Sequence, residues 1–469
     1  MAEVDEKASG DIEEQKPEEA PVPEPPKIPD VELIVDGFGF MPKQRGSVST
    51  IKRPEESPSL SEQSKSPCAS STNIDIVRRY TWRTKNRMTA QVITYGATIT
   101  SISVPDRKGN PADIVAGFDT LEEYFQPRNP YFGATIGRYA NYIREATMMV
   151  RPSGRMYMLS ANKGRHHYHG GYVGFDKVNW RSYITGNKVI MSHVSDRFHE
   201  GYPGTVMTQV SFEVTCENTL KIEMQVRTSE PTIINMSCCP YFNLAGHHAG
   251  NDNLYEHIFT INADKYTVND DDGIVTGEKK VVGGTPYDFR VPRLLKSMLP
   301  KIPLGGYDMN FCITQGTEQD LTFQARALHP FSGRVLEVYS NQPGMQFYTG
   351  NQLPDPDRII EEPADGEEHN EEEGYSESTS SEGSSKNGEE AEEEGSKVIF
   401  FYGKVSYGYV PLMGKDGTFY KKHGLFCMMP QNYPDAVNLR QFPSPVLNPG
   451  EVYQHRIQYK FGILLGKYV

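Results

Sequence analysis

Residues 91–104 read QVITYGATITSISV, a run dominated by β-branched residues and interrupted by one glycine, Gly96. β-Branched side chains fit the pleated surface of a strand, and an isolated glycine inside such a run marks a bend or a bulge. Residues 106–110 follow directly, contain a Lys-Gly pair and are typical of a turn. This stretch predicts short strands joined by tight turns.

The same pattern recurs as far as the C-terminus. Short runs rich in Val, Ile, Thr, Tyr and Phe alternate with turn residues, and segments with helical periodicity are scarce. These runs are residues 189–194, 206–214, 220–227, 257–261, 335–339 and 452–461. Many short strands with regular turn signals predict an all-β fold, either a large antiparallel sandwich or a barrel.

Two segments depart from this pattern. Residues 1–73 are rich in Pro, Glu, Ser and Lys, and residues 355–396 carry Glu triplets around a stretch rich in Ser and Gly. Such compositions cannot bury enough apolar surface to offset the entropy of ordering, so we predict a disordered tail and a disordered acidic insert. The prediction leaves one domain over residues 74–469, interrupted by the insert at 355–396.

The net charge of −13 is concentrated in these two segments. Residues 361–396 contain 15 Asp or Glu and one Lys, so the predicted folded part is mildly basic. The insert either binds a basic protein partner or acts as a solvated tether, and the tether is the favoured interpretation.

The absence of recognisable targeting signals and the small number of cysteines favour a cytoplasmic protein. The chain has no apolar run of about 18 residues that would predict a membrane span, and its first residues do not resemble a secretory signal. The six cysteines are sparse for 469 residues, so we predict free thiols. The adjacent Cys238 and Cys239 are interpreted either as a redox pair or as space-filling residues, and the second interpretation is favoured. We predict no nucleic-acid and no membrane partner.

Several longer stretches follow one another in a specific order. They include residues 113–119 (DIVAGFD), 129–141 (NPYFGATIGRYAN), 241–246 (YFNLAG), 342–351 (QPGMQFYTGN) and 431–436 (QNYPDA). This ordered set resembles the aldose 1-epimerase, or galactose mutarotase, family and extends over residues 74–354 and 413–469. The resemblance implies a large antiparallel β-sandwich of the galactose mutarotase-like supersandwich type, with a sugar cleft and with no metal and no cofactor.

In that family, a glutamate takes the proton of the anomeric hydroxyl while a histidine protonates the ring oxygen, so that the ring opens and recloses as the other anomer. The chemistry needs two proton-transfer groups with usable pKa values. By the resemblance, the histidine position is occupied by Cys239 and the glutamate position by Met429. A thioether has no proton to exchange, and a thiol is a short and weak donor. The sequence therefore predicts impaired catalysis.

The resemblance also implies a sugar-binding set that is largely present. Its members are Asn141, His169, Tyr241, Asp308 and Gln346, and Tyr142 stands where the family has an arginine. His423, Asp435 and Asp308 are candidates for a substitute base, because their segments can approach the cleft.

Three functions remain open at this point. The favoured one is a pseudoenzyme of this family that retains carbohydrate binding, with a hexose-like ligand. The second is an active epimerase that interconverts the α and β anomers of galactose or glucose. The third is a non-catalytic scaffold whose acidic segments bind partners.

Overall fold

The computed structural model describes residues 30–42, 75–151, 153–303, 305–316, 320–355 and 411–466. Within these ranges, strands dominate and form three large sheets in which all neighbouring strands are antiparallel. In spatial order, the nine-stranded sheet consists of Arg181–Thr185, Lys188–Ser195, Val206–Val214, Thr219–Thr228, Tyr453–Ile463, Arg334–Ser340, Thr322–Leu328, Ile258–Ile261 and Arg293–Leu294. The N-terminal sheet consists of Val31–Phe40, Ile76–Thr84, Thr89–Ile93, Thr98–Pro105 and Pro111–Asp113. The third sheet, called the cavity sheet below, consists of Val275–Val281, Ala263–Asn269, Asp308–Ile313, Gly344–Tyr348 and Cys427–Gln431.

Shorter elements connect these sheets. The two-stranded ladders are Tyr142–Ile143 with His167–Tyr168, Thr135–Ile136 with Ser237–Cys238, Thr147–Val150 with Arg155–Met158, Thr232–Ile233 with Val446–Leu447, and Leu412–Met413 with Phe419–Tyr420. The α-helices of the described residues are the short Leu121–Tyr124, Gly250–Tyr255 and Leu295–Met298. Single 3₁₀ turns occur at Arg144–Ala146, Phe175–Lys177, His199–Gly201, Leu299–Lys301 and Lys415–Gly417.

The C-terminal strand Tyr453–Ile463 lies in the middle of the nine-stranded sheet. It pairs with Thr219–Thr228 on one side and with Arg334–Ser340 on the other. Alternate residues of these strands enter one apolar core, because successive side chains of a strand point to opposite faces. All three large sheets contribute to that core, so the sheets fold as one body around it.

The strand predictions are confirmed to within two residues at most ends. Residues 206–214 form a strand with those bounds, and residues 452–461 correspond to Tyr453–Ile463. Residues 91–104 divide, as predicted, into Thr89–Ile93 and Thr98–Pro105 with Gly96 between them. Gly96 has a φ of +65°, and an added Cβ would lie 2.5 Å from the carbonyl oxygen of Asp176, so this turn requires glycine. The all-β sandwich prediction is likewise confirmed.

One prediction about the tail is wrong. Residues 31–40, which were included in the disordered segment 1–73, form the edge strand Val31–Phe40. This strand pairs with Ile76–Thr84, its Asp36 accepts hydrogen bonds from the Arg79 guanidinium, and Val31 and Leu33 pack against the core. The composition of the whole tail concealed a ten-residue run that is apolar enough to form a strand.

The remaining tail and most of the acidic insert, residues 1–29, 43–74 and 356–396, lie outside the described residues. Asp355, the first residue of the predicted insert, is described, and its carboxylate accepts a hydrogen bond of 2.9 Å from Lys422 Nζ. In the part of the chain that the structure covers, no helix is both long and apolar enough to cross a membrane.

Deleting residues 1–42 is expected to lower the thermal unfolding midpoint by roughly 1–3 °C, because about 1–2 kcal/mol of strand pairing and apolar packing is lost. It also opens the backbone edge of Ile76–Thr84, so self-association should increase. Differential scanning fluorimetry and light scattering measure both effects. Deletion of residues 1–29 is the matched control, and equal midpoints for the two truncations would show that the strand contributes nothing.

Candidate functional site

A cavity of about 380 Å³ opens beside the cavity sheet. Its walls come from that sheet, from the loops around residues 125–142 and 162–177, and from the segment that follows Ser237–Cys238. All eight site residues predicted from the sequence line this one cavity: Asn141, Tyr142, His169, Cys239, Tyr241, Asp308, Gln346 and Met429. Residues that are far apart in the sequence are therefore brought together as the prediction requires.

The register of three neighbouring strands determines which side chains face the cavity. Asp308 pairs with Tyr348 and Tyr348 with Cys427, whereas Asn310 pairs with Gln346 and Gln346 with Met429. Directly paired residues point to the same face, and alternate rows repeat on that face. The intervening row, Met309, Phe347 and Met428, packs against the apolar core instead.

Asp308 places a carboxylate on the face of the sheet that lines the cavity. Gln346 Nε2 donates a hydrogen bond of 2.7 Å to Asp308 Oδ1. Desolvation by burial raises the pKa of Asp308 to about 6, although the Gln346 hydrogen bond and the Lys163 ammonium oppose the shift. Asp308 is thus ionised at neutral pH and becomes protonated only in mild acid.

The opposite wall is held by a contact between Asn141 and His169. The backbone N–H of Asn141 donates to His169 Nδ1 at 2.9 Å, which leaves the ring proton on Nε2. Burial, followed by the charge of Lys177, lowers the pKa of His169 to about 3, so the ring is neutral at pH 7. His169 can therefore donate a hydrogen bond to a neutral ligand but does not act as a cation.

A buried arginine fixes the loop that carries Asn141. Arg138 is 2% exposed, and its guanidinium donates to the carbonyl oxygens of Ser195, Asp196, Pro203 and Gly204 at 2.7–3.0 Å. Burial lowers the pKa of Arg138 to about 10, which still leaves it charged at pH 7. These bonds connect the cavity wall to the 195–204 loop.

Aromatic rings form much of the remaining surface. Tyr142, at the position where the resemblance implies an arginine, stacks against Tyr168 with ring centroids 4.4 Å apart, and Tyr168 lies 3.8 Å from the His169 ring. Tyr241 and Tyr348 make an edge contact of 5.9 Å on the other side. Tyrosine offers an apolar face and one polar tip, so these rings give the cavity apolar surfaces with hydroxyl groups at fixed places.

The segment that carries Cys239 runs beside the strand that carries Met429. Phe242 and Phe426 form an antiparallel bridge, and Ser237 Oγ donates to the Pro430 carbonyl at 2.7 Å. Cys239 and Met429 both line the cavity. Both side chains are nearly buried, at 3% and 4% exposure, and both belong to an apolar cluster beneath the cavity.

The neighbouring thiols are free and buried. Burial raises the pKa of the Cys238 thiol to about 12 and moves the pKa of Cys427 well above its ordinary value. Both stay protonated at neutral pH, and thiols of this kind are poor nucleophiles. The contacts of Cys238 support the space-filling interpretation, since its sulfur lies 3.7 Å from Thr135 Oγ1 inside the core.

Two buried carboxamides on the sheet face that carries Met429 lack hydrogen bonds. The amide nitrogen and oxygen of Asn310 and of Gln431 are buried without a partner in the described part of the chain. Gln431 follows Met429 by two residues on the same strand face, and an added Cβ at Gly344 would lie 2.5 Å from Asn310 Oδ1. Unpaired buried amides lower the stability of a protein. The sheet face that carries the apolar Met429 side chain therefore also carries polar groups without hydrogen-bond partners.

Two of the candidate substitute bases lie elsewhere. His423 lines a different cavity, where the Tyr255 hydroxyl contacts its Nδ1 at 3.1 Å. Asp435 is held by the backbone N–H of Arg144 and by Asn438 Nδ2, and it is not a lining residue. Asp308 alone among these three candidates reaches the cavity. Within the described ranges, no group of three or more His, Cys, Asp or Glu side chains is placed to hold a metal ion.

The sequence reasoning missed several lining residues. Tyr168, Tyr131, Tyr348, Lys163 and the ion pair of Lys177 with Asp176 also border the cavity. Tyr168 directly precedes His169, and Tyr131 lies within the quoted 129–141 stretch, so proximity to a recognised motif was the available signal. Lys163 gave no such signal, because only the fold of its loop brings it to the cavity mouth.

The chain is similar to known proteins over most of its length. The family model described as aldose 1-epimerase matches residues 78–460. Galactose mutarotase from Homo sapiens is 38% identical over 372 residues, which cover 79% of this chain and 90% of that protein. Galactose mutarotase from Bos taurus is 37% identical over 378 residues, which cover 81% of this chain and 92% of that protein. A crystal structure of an aldose epimerase homologue from C. elegans superposes with a TM-score of 0.64 at 25% identity, covering 81% of this chain and 97% of that one. The chain therefore belongs to the aldose 1-epimerase family.

Proposed function

We propose that this protein binds a hexose-like carbohydrate in the cavity but interconverts anomers poorly or not at all. The observation that carries the proposal is the contrast inside one cavity. The polar groups suited to hold a sugar, Asn141, His169, Asp308 and Gln346, line it, whereas the two positions at which the resemblance implies proton transfer hold Cys239 and Met429.

The chemistry of the two positions supports impaired catalysis. Ring opening needs one group that accepts a proton and another that donates one, and each such group contributes roughly 10²–10⁴-fold in rate. Met429 can do neither, and Cys239 is a weak donor in a nearly buried apolar setting. With both contributions lost, the expected rate is close to that of the uncatalysed reaction.

An active epimerase is the competing function, and two observations favour it. The chain aligns with 90% of the length of a galactose mutarotase, and Asp308, with a pKa of about 6, is a group in the cavity that can exchange a proton near neutral pH. A measurement of anomer interconversion distinguishes the impaired protein from the active epimerase.

Polarimetry of freshly dissolved α-galactose gives that decision. We expect mutarotation in the presence of the purified protein to equal the rate in buffer, with a galactose mutarotase as the positive control. A rate that rises in proportion to protein concentration would contradict the proposal. The variant Asp308→Asn would then show whether Asp308 is the proton-transfer group, because its activity should disappear.

Restoring both groups tests the assignment of the two positions. The double variant Cys239→His with Met429→Glu should raise the rate at least about 10²-fold over the unmodified protein. The unpaired amide of Gln431 lies two residues from position 429 on the same strand face, and amide N–H donors stabilise the ionised form of a carboxylate. The matched control is Cys239→His with Met429→Gln, which has the same shape without the charge and should remain inactive.

A third change addresses Tyr142. If the double variant folds but stays inactive, adding Tyr142→Arg should supply the activity, since the resemblance implies an arginine there. Inactivity of the folded triple variant would contradict the assignment of Cys239 and Met429 to the proton-transfer positions.

Galactose binding should depend on pH through Asp308. The carboxylate is ionised above a pKa of about 6 and accepts charge-assisted hydrogen bonds from sugar hydroxyls, and these weaken as the pH falls through 6. Affinity measured by calorimetry is expected to fall about 3–10-fold from pH 7.5 to pH 5. His169, with a pKa of about 3, does not titrate in this window. Asp308→Asn should bind more weakly and without the pH dependence; an unchanged pH dependence in that variant would assign it to another group.

A further inference from the structure

The charged side chains of the cavity are arranged by sign. Its two carboxylates are held inside, since Asp176 is 8% exposed and Asp308 is half-buried. Its three cations, Arg128, Lys163 and Lys177, are all exposed residues of the loops around 125–142 and 162–177. Long basic side chains keep their charge in water, whereas a short carboxylate stays where the backbone places it. The interior of the cavity therefore carries the carboxylates and its rim carries the cations.

Of these two carboxylates, Asp308 lacks an ion-pair partner in the described part of the chain. Asp176 Oδ2 lies 2.6 Å from Lys177 Nζ, so its charge is balanced within the wall. Asp308 Oδ1 accepts a hydrogen bond from Gln346 Nε2. Asp308 Oδ2 has no hydrogen-bond partner among the described residues and is not enclosed by them, so it is open to the cavity. An accessible carboxylate oxygen of this kind accepts a hydrogen bond from a ligand, and a charged donor forms the stronger one.

Tyrosine rings surround the Asp308 carboxylate. Tyr348 is its direct partner across the strand pair, and the ring centroids of Tyr142 and Tyr168 lie 4.4 Å apart. Burial, followed by the charge of Asp308, raises the pKa of Tyr142 to about 12 and also raises the pKa values of Tyr168 and Tyr348. All three rings thus lie within range of that charge. Because the face of a tyrosine ring attracts a cation, a carboxylate beside three such rings fits an ammonium group.

The residue at position 142 leaves room for a cation. Tyr142 stands where the resemblance implies an arginine, and a guanidinium there would repel an ammonium beside Asp308. Among the described residues, the cation whose charge acts on Asp308 is Lys163, which is exposed and whose Nζ lies 5.9 Å from the centroid of the Tyr168 ring. Exposed charges are screened by water and salt, so Lys163 opposes a bound cation only weakly.

We propose that the ligand of this cavity is an amino sugar, a hexose in which an ammonium group replaces one hydroxyl. The ammonium pairs with Asp308 and lies against the three tyrosines, and the other polar lining groups hold the remaining hydroxyls. The inference rests on the proposed function, because it requires a carbohydrate in this cavity, and it deepens that function by naming a class of sugar. A neutral hexose makes the same hydroxyl contacts but leaves the charge of Asp308 unbalanced.

Isothermal titration of the full chain with three sugars at pH 7 tests the proposal. Galactosamine and 6-amino-6-deoxygalactose carry the ammonium at different carbons, and galactose is the neutral reference. At least one of the amino sugars is expected to bind about tenfold more tightly than galactose, the gain typical of a hydrogen bond between charged groups. If galactose binds and neither amino sugar binds more tightly, this inference alone is overturned. If none of the three binds, the proposed function is overturned with it.

The variant Asp308→Asn keeps the shape of the side chain and removes its charge, so the preference for the amino sugar over galactose should disappear. Asp272→Asn is the matched control and should keep the preference, because Asp272 is paired with Arg165 and does not line the cavity. Lys163→Ala removes the opposing cation and should raise the affinity for the amino sugar about twofold. A preference that survives in a folded Asp308→Asn variant would overturn the proposal.

A comparison of two pH values in the unmodified protein provides the test if Asp308→Asn does not fold. Burial raises the pKa of Asp308 to about 6, whereas the ammonium of an amino sugar stays charged from pH 7 to pH 5. The preference over galactose should therefore fall at least about threefold between these values. The three tyrosines, the Cys427 thiol and His169 are neutral throughout this range, and Lys163 is charged. Burial also raises the pKa of Asp176, but its charge does not act on Asp308. An unchanged preference at pH 5 contradicts the pairing of the ammonium with Asp308.

Discussion

The antiparallel register across Asp308–Ile313, Gly344–Tyr348 and Cys427–Gln431 is the constraint on which the functional cavity depends. Side chains alternate between two faces of a sheet, so a slip of one residue would exchange the Asp308 row for the apolar row of Met309. The apolar row packs against Phe259 and the other rings of the core, and burying Asp308 there without a partner would be prohibitive. The hydrophobic core therefore specifies the register, and the register in turn places Gln346 and Met429 beside one another.

The packing of the residues at positions 239 and 429 can be considered separately from their capacity for proton transfer. Cys239 and Met429 belong to an apolar cluster, where a thiol and a thioether pack without the desolvation penalty that a buried carboxylate carries. A glutamate at position 429 would need hydrogen-bond donors as partners in this cluster. Under the proposed function, the composition of this site favours the stability of the cluster over proton transfer.

Much of the fold could be predicted from the sequence, because strand formation follows local pattern and β-branched composition. Residues 206–214 and 220–227 illustrate this, since their β-branched composition and the turn residues around them located both strands. The strand Val31–Phe40 was missed because its stability comes from pairing with Ile76–Thr84, more than thirty residues along the chain, and composition averages do not contain that information. For the cavity, residues within ordered motifs, such as His169 and Asp308, were found. Lys163 was missed because only the geometry of its loop brings it to the site, whereas Tyr348 was missed although it lies in the recognised stretch 342–351, two residues after Gln346.

The charge of Arg138 affects how the cavity responds to a change in pH. Its guanidinium has a pKa of about 10 and holds four backbone carbonyls, so the loop that carries Asn141 keeps the same anchor throughout the physiological range of acidity. Asp308, across the cavity, changes its charge within that range. Acidification would thus change the electrostatic potential of this site at Asp308 while the Arg138 anchor keeps its charge, so a ligand would meet a less negative cavity beside the same charged anchor.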